Sequence, residues 1–576
     1  MLKGSLAEGQ KKIMKKLRVG FLVDDLSPSS QVNKLIDFVN TDPNFCQPVL
    51  ITGYKKKQDA TVKKVLSKLK AGPVRFFNIA LRSILIKVIM LVELQNAKKR
   101  YPGYGHKQKI KNLDEHKVVN VNGKWSKSGL FLQMTEEDLS LIEDCNLDCI
   151  IRCGSGILHG KILDISEYGV ISFHHGDNRT NRGGPSGFWE VLNGEASSGF
   201  IIQRLNQELD GGQVLFRGNL MTSNTWHANN AQLLTKSNVF MMQLLLDLAK
   251  NQRLPTSEGV RLHGNELYKL DSSLVLLQYL IKVIMPKVFT KIVNKFLTHK
   301  VSRWSVAYCY HNNFSKSLWR YKVIKNPKGR FLADPFVIEN NGENFIFVED
   351  FFFNDGKGRI SVIKVDEQKY DFLGVVLEED FHLSFPFVFK DHNEIYMIPE
   401  TSDNGDIRLY KSIEFPLKWE FERQLMPNVK AADTMLFKNE KIWFMFTNIC
   451  SAKIGDHQSE LHIFYSEDFK SGKWQPIESG NPVVFSPLKG RNGGFFSHNG
   501  VLYRVNQVHG QNHYGKSFNV NQIEVLSKDE YVEKEVSLIE PNFKDLSTST
   551  HHFNANEHIA VVDFARSVRL KEAIKS

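Results

Sequence analysis

Two regions of this sequence concentrate residues that do chemistry. The first lies between Asp148 and Arg217, where an apolar run ends Ile171-Ser172-Phe173-His174 and a turn reads Glu208-Leu209-Asp210-Gly211-Gly212. A histidine held beside an aspartate relays a proton, and it becomes a charged donor when the carboxylate raises its pKa. Ser172 and Asn178 flank that histidine with a hydroxyl and an amide. The second region repeats acidic and basic residues along the last 250 or so positions: Asp334, Glu349, Glu400, Asp433, Arg491 and His551. Paired carboxylates of this kind are what glycosidic chemistry places across one sugar, about 5–10 Å apart. Turn caps are the competing assignment, since Asp and Asn in tight turns also accept backbone hydrogen bonds.

The elements that must position these groups differ in the two halves. Leu17–Val23, Gln31–Asn40 and Pro48–Thr52 alternate as strand, helix and strand. Ala60–Lys70 and Phe76–Leu94 follow as helices, the second strongly apolar. Thr135-Glu136-Glu137-Asp138 has the capping-box pattern that opens a helix. Leu147–Cys153 and Gly169–Phe173 are apolar strands, Gly184–Asn193 a helix and Gly199–Leu205 a strand. This alternation predicts a mostly parallel sheet with helices on its faces over 17–220, joined by a helical connector over 221–300.

Beyond about residue 301 only strand patterns occur. Five segments begin at Ala333, Ser384, Ala432, Gly490 and Thr548, at intervals of 51, 48, 58 and 58 residues. Each has a polar turn, an alternating Phe/Val/Ile run, a second turn and another aromatic strand. A period near fifty with about four strands per unit predicts a five-bladed β-propeller over 301–566, with Trp304–Tyr310 completing the ring beside the last repeat. The polar residues at the repeat starts then converge on a central funnel.

Bulk properties narrow the class. The chain has 576 residues, with 42% hydrophobic and 24% charged, and a formal net charge of +12. That length implies more than one domain. Six cysteines are too few for a disulfide scaffold, so a reducing, cytoplasmic setting is expected. Cys145, Cys149 and Cys153 cannot share one helical face, and no metal site is expected there. The basic excess reads first as a solvated face. Phe76–Leu94 and Leu274–Leu297 carry interspersed charges that unsuit them to crossing a bilayer, which leaves core helices or peripheral contact with a membrane surface. Gly154-Ser155-Gly156 with Gly160 is a poor dinucleotide loop, because its third glycine comes one residue late.

The order Leu147–Leu158, Ile171-Ser172-Phe173-His174, Arg182-Gly183-Gly184-Pro185 and Glu208–Gln213 resembles the formyltransferases that use 10-formyltetrahydrofolate on methionyl-tRNA, glycinamide ribonucleotide or amino sugars. The resemblance implies a Rossmann-like domain with His174 and Asp210 catalytic. It implies that Arg152, Gly154, Gly156, Ile157 and Leu158 form the folate wall, with 10-formyltetrahydrofolate as donor. An amine would attack the formyl carbon while a donor stabilises the oxyanion. This sequence departs from the family at one catalytic position: Ser172 stands where the family has asparagine, and Asn178 is the nearest amide that could replace it. The second half resembles both the five-bladed furanosidase-like glycosidases and, more closely, the propeller of plant glucosamine inositolphosphorylceramide transferases. Together these imply an enzyme of glycan biosynthesis acting on a nucleotide- or lipid-linked amino sugar, with no nucleic-acid partner. The alternative is a glycan-binding or glycosyl-transferring propeller carrying a catalytically degenerate formyltransferase domain.

Overall fold

The computed structural model describes residues 15–54, 72–180, 182–208, 211–258, 267–289, 300–310 and 317–575. Two compact units result: Met1–Trp189, Gly199–Gly218 and Thr225–Leu280 in the first, Glu190–Ser198, Asn219–Asn224 and Ile281–Ser576 in the second.

The α/β part of the chain contains β1 (Val19–Leu22), α1 (Ser30–Thr41), β2 (Val49–Thr52), α2 (Pro73–Arg100), β3 (Lys117–Asn120), α3 (Glu136–Glu143) and β4 (Cys149–Arg152). It continues with β5 (Val170–His174), α4 (Phe188–Asn193), β6 (Ser197–Arg204), β7 (Gln213–Met221) and α5 (Trp226–Asn251). One sheet joins the strands in the order β7-β6-β5-β4-β1-β2-β3. The run from β5 through β3 is parallel, and β6 pairs antiparallel to β5. Val19, Phe21, Ile150, Ile151, Val170 and Ile171 are essentially inaccessible. Continuous apolar strands of this kind are what a sheet covered on both faces requires. The capping box forms as the sequence specifies: Thr135 accepts from Asp138 N–H, and the Asp138 carboxylate accepts from Thr135 N–H.

Helix α2 extends past both ends of the apolar stretch read from sequence. Leu85, Ile89, Glu93 and Ala97 are its buried stripe, four residues apart. Glu93 accepts from the hydroxyl of Tyr279 and the backbone of His227. A parallel stripe stays exposed: Phe77, Ile84, Val88 and Leu91. Residues 273–289 are helical, with a wider π turn at Leu280–Ile284 just before Pro286. A proline lacks the amide that a regular turn would use there, and such turns relieve it. Among the described residues no helix is long and apolar enough to cross a membrane. The helix expected over 60–70 lies outside the described residues.

Among the described residues the second unit contains five antiparallel sheets. Their innermost strands are Arg330–Asn340, Ser384–Asp391, Ala431–Asn439, Asn492–His498 and the short pair Ser547–Ser549 with Phe553–Ala555. Each innermost strand touches the next, and Arg330–Asn340 also touches Phe553–Ala555, which closes the cycle. In the fifth sheet Lys300–Tyr310 pairs along its full length with Ile559–Arg569, so a strand from the start of the unit seals its end. Facing sheets are joined by aromatic edges: Phe336 on Phe385 at 4.9 Å, Phe446 on Phe495 at 4.9 Å and Phe496 on Phe553 at 5.2 Å. Each buried ring contributes about 2–3 kcal/mol of transfer free energy. This arrangement is propeller-like.

Candidate functional sites

In the first unit the strands β4 and β5 deliver Arg152 and His174 at their C-terminal ends, the edge where open α/β sheets hold ligands. Arg152, Ile157, Leu158, Ser172, Phe173, His174, Gln203 and Leu205 line a cavity of about 120 Å³ there. Five residues expected from sequence therefore share one pocket. The Arg152 guanidinium donates to Gly156 O and to Ser172 Oγ at 3.4 Å. Burial lowers its pKa, although it stays a cation at any ordinary pH.

Gly154 and Gly156 act by leaving room. A Cβ on Gly154 would collide with the Tyr54 hydroxyl, and one on Gly156 would stand 2.6 Å from the Trp125 ring. The loop between them is pinned by Asp24, which accepts from Ser155 N at 2.7 Å and from Ser155 Oγ at 2.8 Å.

Asn178 does not join this pocket. It is buried next to Asp177, which binds Arg179 at 2.7 Å and Arg217 at 2.6 Å, and it is absent from the cavity lining. The loop after His174 turns inward to satisfy that buried carboxylate, which carries Asn178 away from the strand end. His175 also faces away from the chemistry: it stacks on Phe173 and bonds Ser237 at 3.0 Å. Burial and the neighbouring His174 push its pKa down to about 4. Asp210 lies outside the described residues. Two amides line the cavity: Asn206, which donates to Gly211 O at 2.7 Å, and Gln203, which sequence reading missed because it sits near the end of a strand among apolar neighbours.

In the second unit one local device recurs. The innermost strand of each of the first four sheets carries a bulge at its start, between Ala333 and Phe336, Ser384 and Phe387, Ala432 and Met435, and Asn492 and Phe495. Asp334, Phe385 and Asp433 occupy it with φ of 50°, 45° and 49°. A left-handed non-glycine residue costs about 1–2 kcal/mol, so each bulge is held by its surroundings. From the bulge Asp334 comes within 3.5 Å of His551 and Asp433 pairs with Arg491, while Phe385 packs on Phe336 and His552.

The second strand of each sheet presents a polar residue opposite the bulge. Glu349 faces Ala333, Glu400 faces Ser384, Asn448 faces Ala432 and Asn506 faces Asn492. Asp563 is the counterpart in the fifth sheet. The amides fasten backbone: Asn448 donates to Glu460 O and Gly490 O, and Asn506 to Leu488 O. The carboxylates gather with the bulge residues. Arg491 pairs with Asp433 and reaches Glu400 at 3.3 Å. Gln507 donates to Asp433 at 2.9 Å. His551 pairs with Asp563 at 2.6 Å and lies 3.5 Å from Asp334. His382 lies 3.5 Å from Glu349.

Five carboxylates thus share a small volume with one arginine and one strongly paired histidine. Burial raises Asp334 to about 7 and Glu400 to about 8, and it raises Glu349 with added repulsion from Asp334 and Glu400. Burial alone would depress His551, but Asp563 and Asp334 outweigh it and its pKa rises. Asp334, His551 and Asp563 also bring ligand atoms within 4.8 Å of one another.

All six funnel residues expected from sequence converge. Asp563 was missed, although a lone carboxylate inside Ile559–Ala565, an otherwise apolar buried run, is itself a signal that something must pair with it. Asp563 also caps backbone, accepting from the amides of His551 and His552 at 3.0 Å each. Asp563 thus caps backbone amides and pairs with His551 at the same time.

The two folds, one formyltransferase-like and one propeller-like, agree with known relatives. The model of the N-terminal part of glucosamine inositolphosphorylceramide transferase 1 matches residues 320–563. The protein of that name from Arabidopsis thaliana is 35% identical over 248 residues, 40% of this chain and 32% of that protein. The chain thus spans about a third of the plant relatives' length. A methionyl-tRNA formyltransferase from Clostridium beijerinckii is 23% identical over 237 residues, 38% of this chain and 73% of that one. Among solved structures, a sugar N-formyltransferase from a Shewanella species aligns at 14% identity and TM-score 0.26, covering 46% of this chain and 88% of that one. A thermostable family-43 glycoside hydrolase aligns at 15% and 0.32, covering 42% and 91%. Both structural likenesses are too distant to argue from.

Proposed function

We propose that this chain is a transferase of glycan assembly that moves a formyl group from 10-formyltetrahydrofolate to the amine of a nucleotide- or lipid-linked sugar. The observation that carries the reading is the shared cavity of His174, Ser172 and Arg152 at the C-terminal edge of the parallel strands. In this account the sugar amine attacks the formyl carbon, the bond from that carbon to the folate nitrogen breaks, and His174 with Asp210 relays the amine's proton to that nitrogen. The five sheets of the second unit are read as five blades, and their carboxylate-rich centre engages the saccharide. The exposed apolar stripe of α2, flanked by Lys87 and followed by Lys98, Lys99 and Arg100, supports peripheral contact with an anionic membrane surface in a cytoplasmic setting.

Incubation of the purified protein with 10-formyltetrahydrofolate and a panel of 3-amino and 4-amino nucleotide sugars tests the reading. It predicts an N-formyl product and released tetrahydrofolate, and no product across the panel counts against it. One observation favours a second reading. Ser172 is buried, and its hydroxyl is engaged by Arg152 and directed at Phe173 O. A domain so altered could serve as a binding module for a glycan-binding or glycosyl-transferring propeller. Folate retention without turnover would favour that alternative.

A further inference from the structure

We propose that the carboxamide of Gln203 takes over, from the neighbouring strand, the hydrogen-bonding place left by Ser172, and binds the formyl group of the donor beside His174. This rests on the formyl-transfer reading above. Four observations support it. Gln203 on β6 stands directly opposite Ser172 on β5, and Ile201 stands opposite His174. Residues directly opposite in an antiparallel pair project to the same face with Cβ atoms about 4.5–5.5 Å apart. Ser172 and His174, two apart on one strand, share that face as well. A side chain two methylenes long therefore brings an amide over the space that an asparagine at 172 would fill.

Gln203 lines the cavity with both residues and is only 6% exposed. Its Oε1 has no hydrogen-bond partner among the described residues. An unmet buried carbonyl bears the full cost of leaving water, which a ligand N–H would recover. Gly212, two residues after Asp210, leaves room for this group: a Cβ there would stand 2.8 Å from Gln203 Oε1 and 2.7 Å from Arg204 O. The local sequence around the turn thus accommodates the glutamine amide.

In the transfer step the amine nitrogen bonds to the formyl carbon and the carbon–nitrogen bond to the folate breaks. The amine loses one proton, the folate nitrogen gains one, and nothing is oxidised or reduced. Gln203 transfers no proton. Its Nε2–H donates to the formyl oxygen as charge builds there, and its Oε1 accepts from the incoming amine.

The test uses the full chain with 10-formyltetrahydrofolate and the best amino-sugar acceptor. Gln203→Met keeps the volume and Gln203→Glu keeps the shape while removing the donor. Each should lower kcat about 100-fold with the melting temperature near wild type. Adding Ser172→Asn to Gln203→Met should recover at least tenfold, a rescue that a merely structural glutamine would not show. Equal activity of both single variants and wild type overturns the inference, as does a folded double variant without rescue. Should Gln203→Met fail to fold, Gln203→Glu with and without Ser172→Asn decides by the same comparison. A wild type that neither binds the folate nor transfers formyl overturns the reading itself, and this inference falls with it.

Discussion

The two sites are assembled on opposite plans. In the first unit, single side chains arrive at the ends of separate strands, and the cavity between them is lined by a guanidinium, an imidazole, a carboxylate and two amides, of which Gln203 has an unmet oxygen. Its chemical groups are not what holds the sheet together, since that task falls to Val19, Ile150 and Ile171 beneath them. In the second unit the chemical groups and the structural groups are the same atoms. Asp433 is bound by Arg491 and Gln507, and Asp563 by His551 and two backbone amides. Substitution should therefore separate activity from stability in the first unit and entangle them in the second.

The largest expected effect is in the first unit. His174→Ala should lower formyl transfer by two or more orders of magnitude, about 3 kcal/mol of transition-state stabilisation. Unfolding by denaturant should show stability nearly unchanged. Adding Asp210→Ala should cost little more, since the pair acts as one unit. A fall in stability as large as the fall in rate would erase the contrast between the units.

Next in size is a difference within the funnel. Asp433→Asn leaves Arg491 with Glu400 alone and should destabilise the protein by about 3 kcal/mol. Among the described residues no hydrogen bond reaches Asp334 Oδ1, and Asp334→Asn should cost about 1 kcal/mol or less while abolishing saccharide binding. Urea titration together with glucosamine and N-acetylglucosamine binding would read both. Equal stability losses at the two positions would place Asp334 among the structural caps.

A pH effect follows from the same groups. Asp334 and Glu400, raised to about 7 and about 8, keep protons in the folded state that the unfolded chain has already released. The folded state binds more protons across that interval, so stability falls as pH rises from about 5 to 8. His551, raised by Asp563, acts in the same direction. Glu400→Gln should flatten part of this slope, measured by urea midpoints across the range. A slope unchanged by Glu400→Gln would mean that this carboxyl is already ionised in the folded state.

The smallest effect concerns the exposed stripe of α2. Phe77→Ser with Leu91→Ser should reduce co-sedimentation with phosphatidylserine vesicles several-fold and change stability by about 0.5 kcal/mol or less. Retained vesicle binding would remove the membrane surface as a partner of this face.

Local patterns carried much of this protein. The Thr135–Asp138 capping box, the apolar strands around Ile150 and Ile171, and the repeat of about fifty residues all depend on neighbours close in sequence, and all are legible there. The convergence of Asp334, Glu349, Glu400, Asp433, Arg491 and His551 was legible too, because a repeat places equivalent positions at equivalent places. Asn178 against Gln203 is where sequence reasoning reached its limit. Both are amides near His174, one four residues away along the chain and the other across a strand pair. The burial of Asp177 with Arg217 draws Asn178 aside, and the β5–β6 register brings Gln203 in. Asp563 has the same history, a charge in an apolar strand whose partner His551 comes from the connection between Ser547–Ser549 and Phe553–Ala555. Sequence determined which segments become strands and which residue types could react. Tertiary structure decided which of those residues meet, because strand register and the pairing of buried charges bring together groups far apart in the chain.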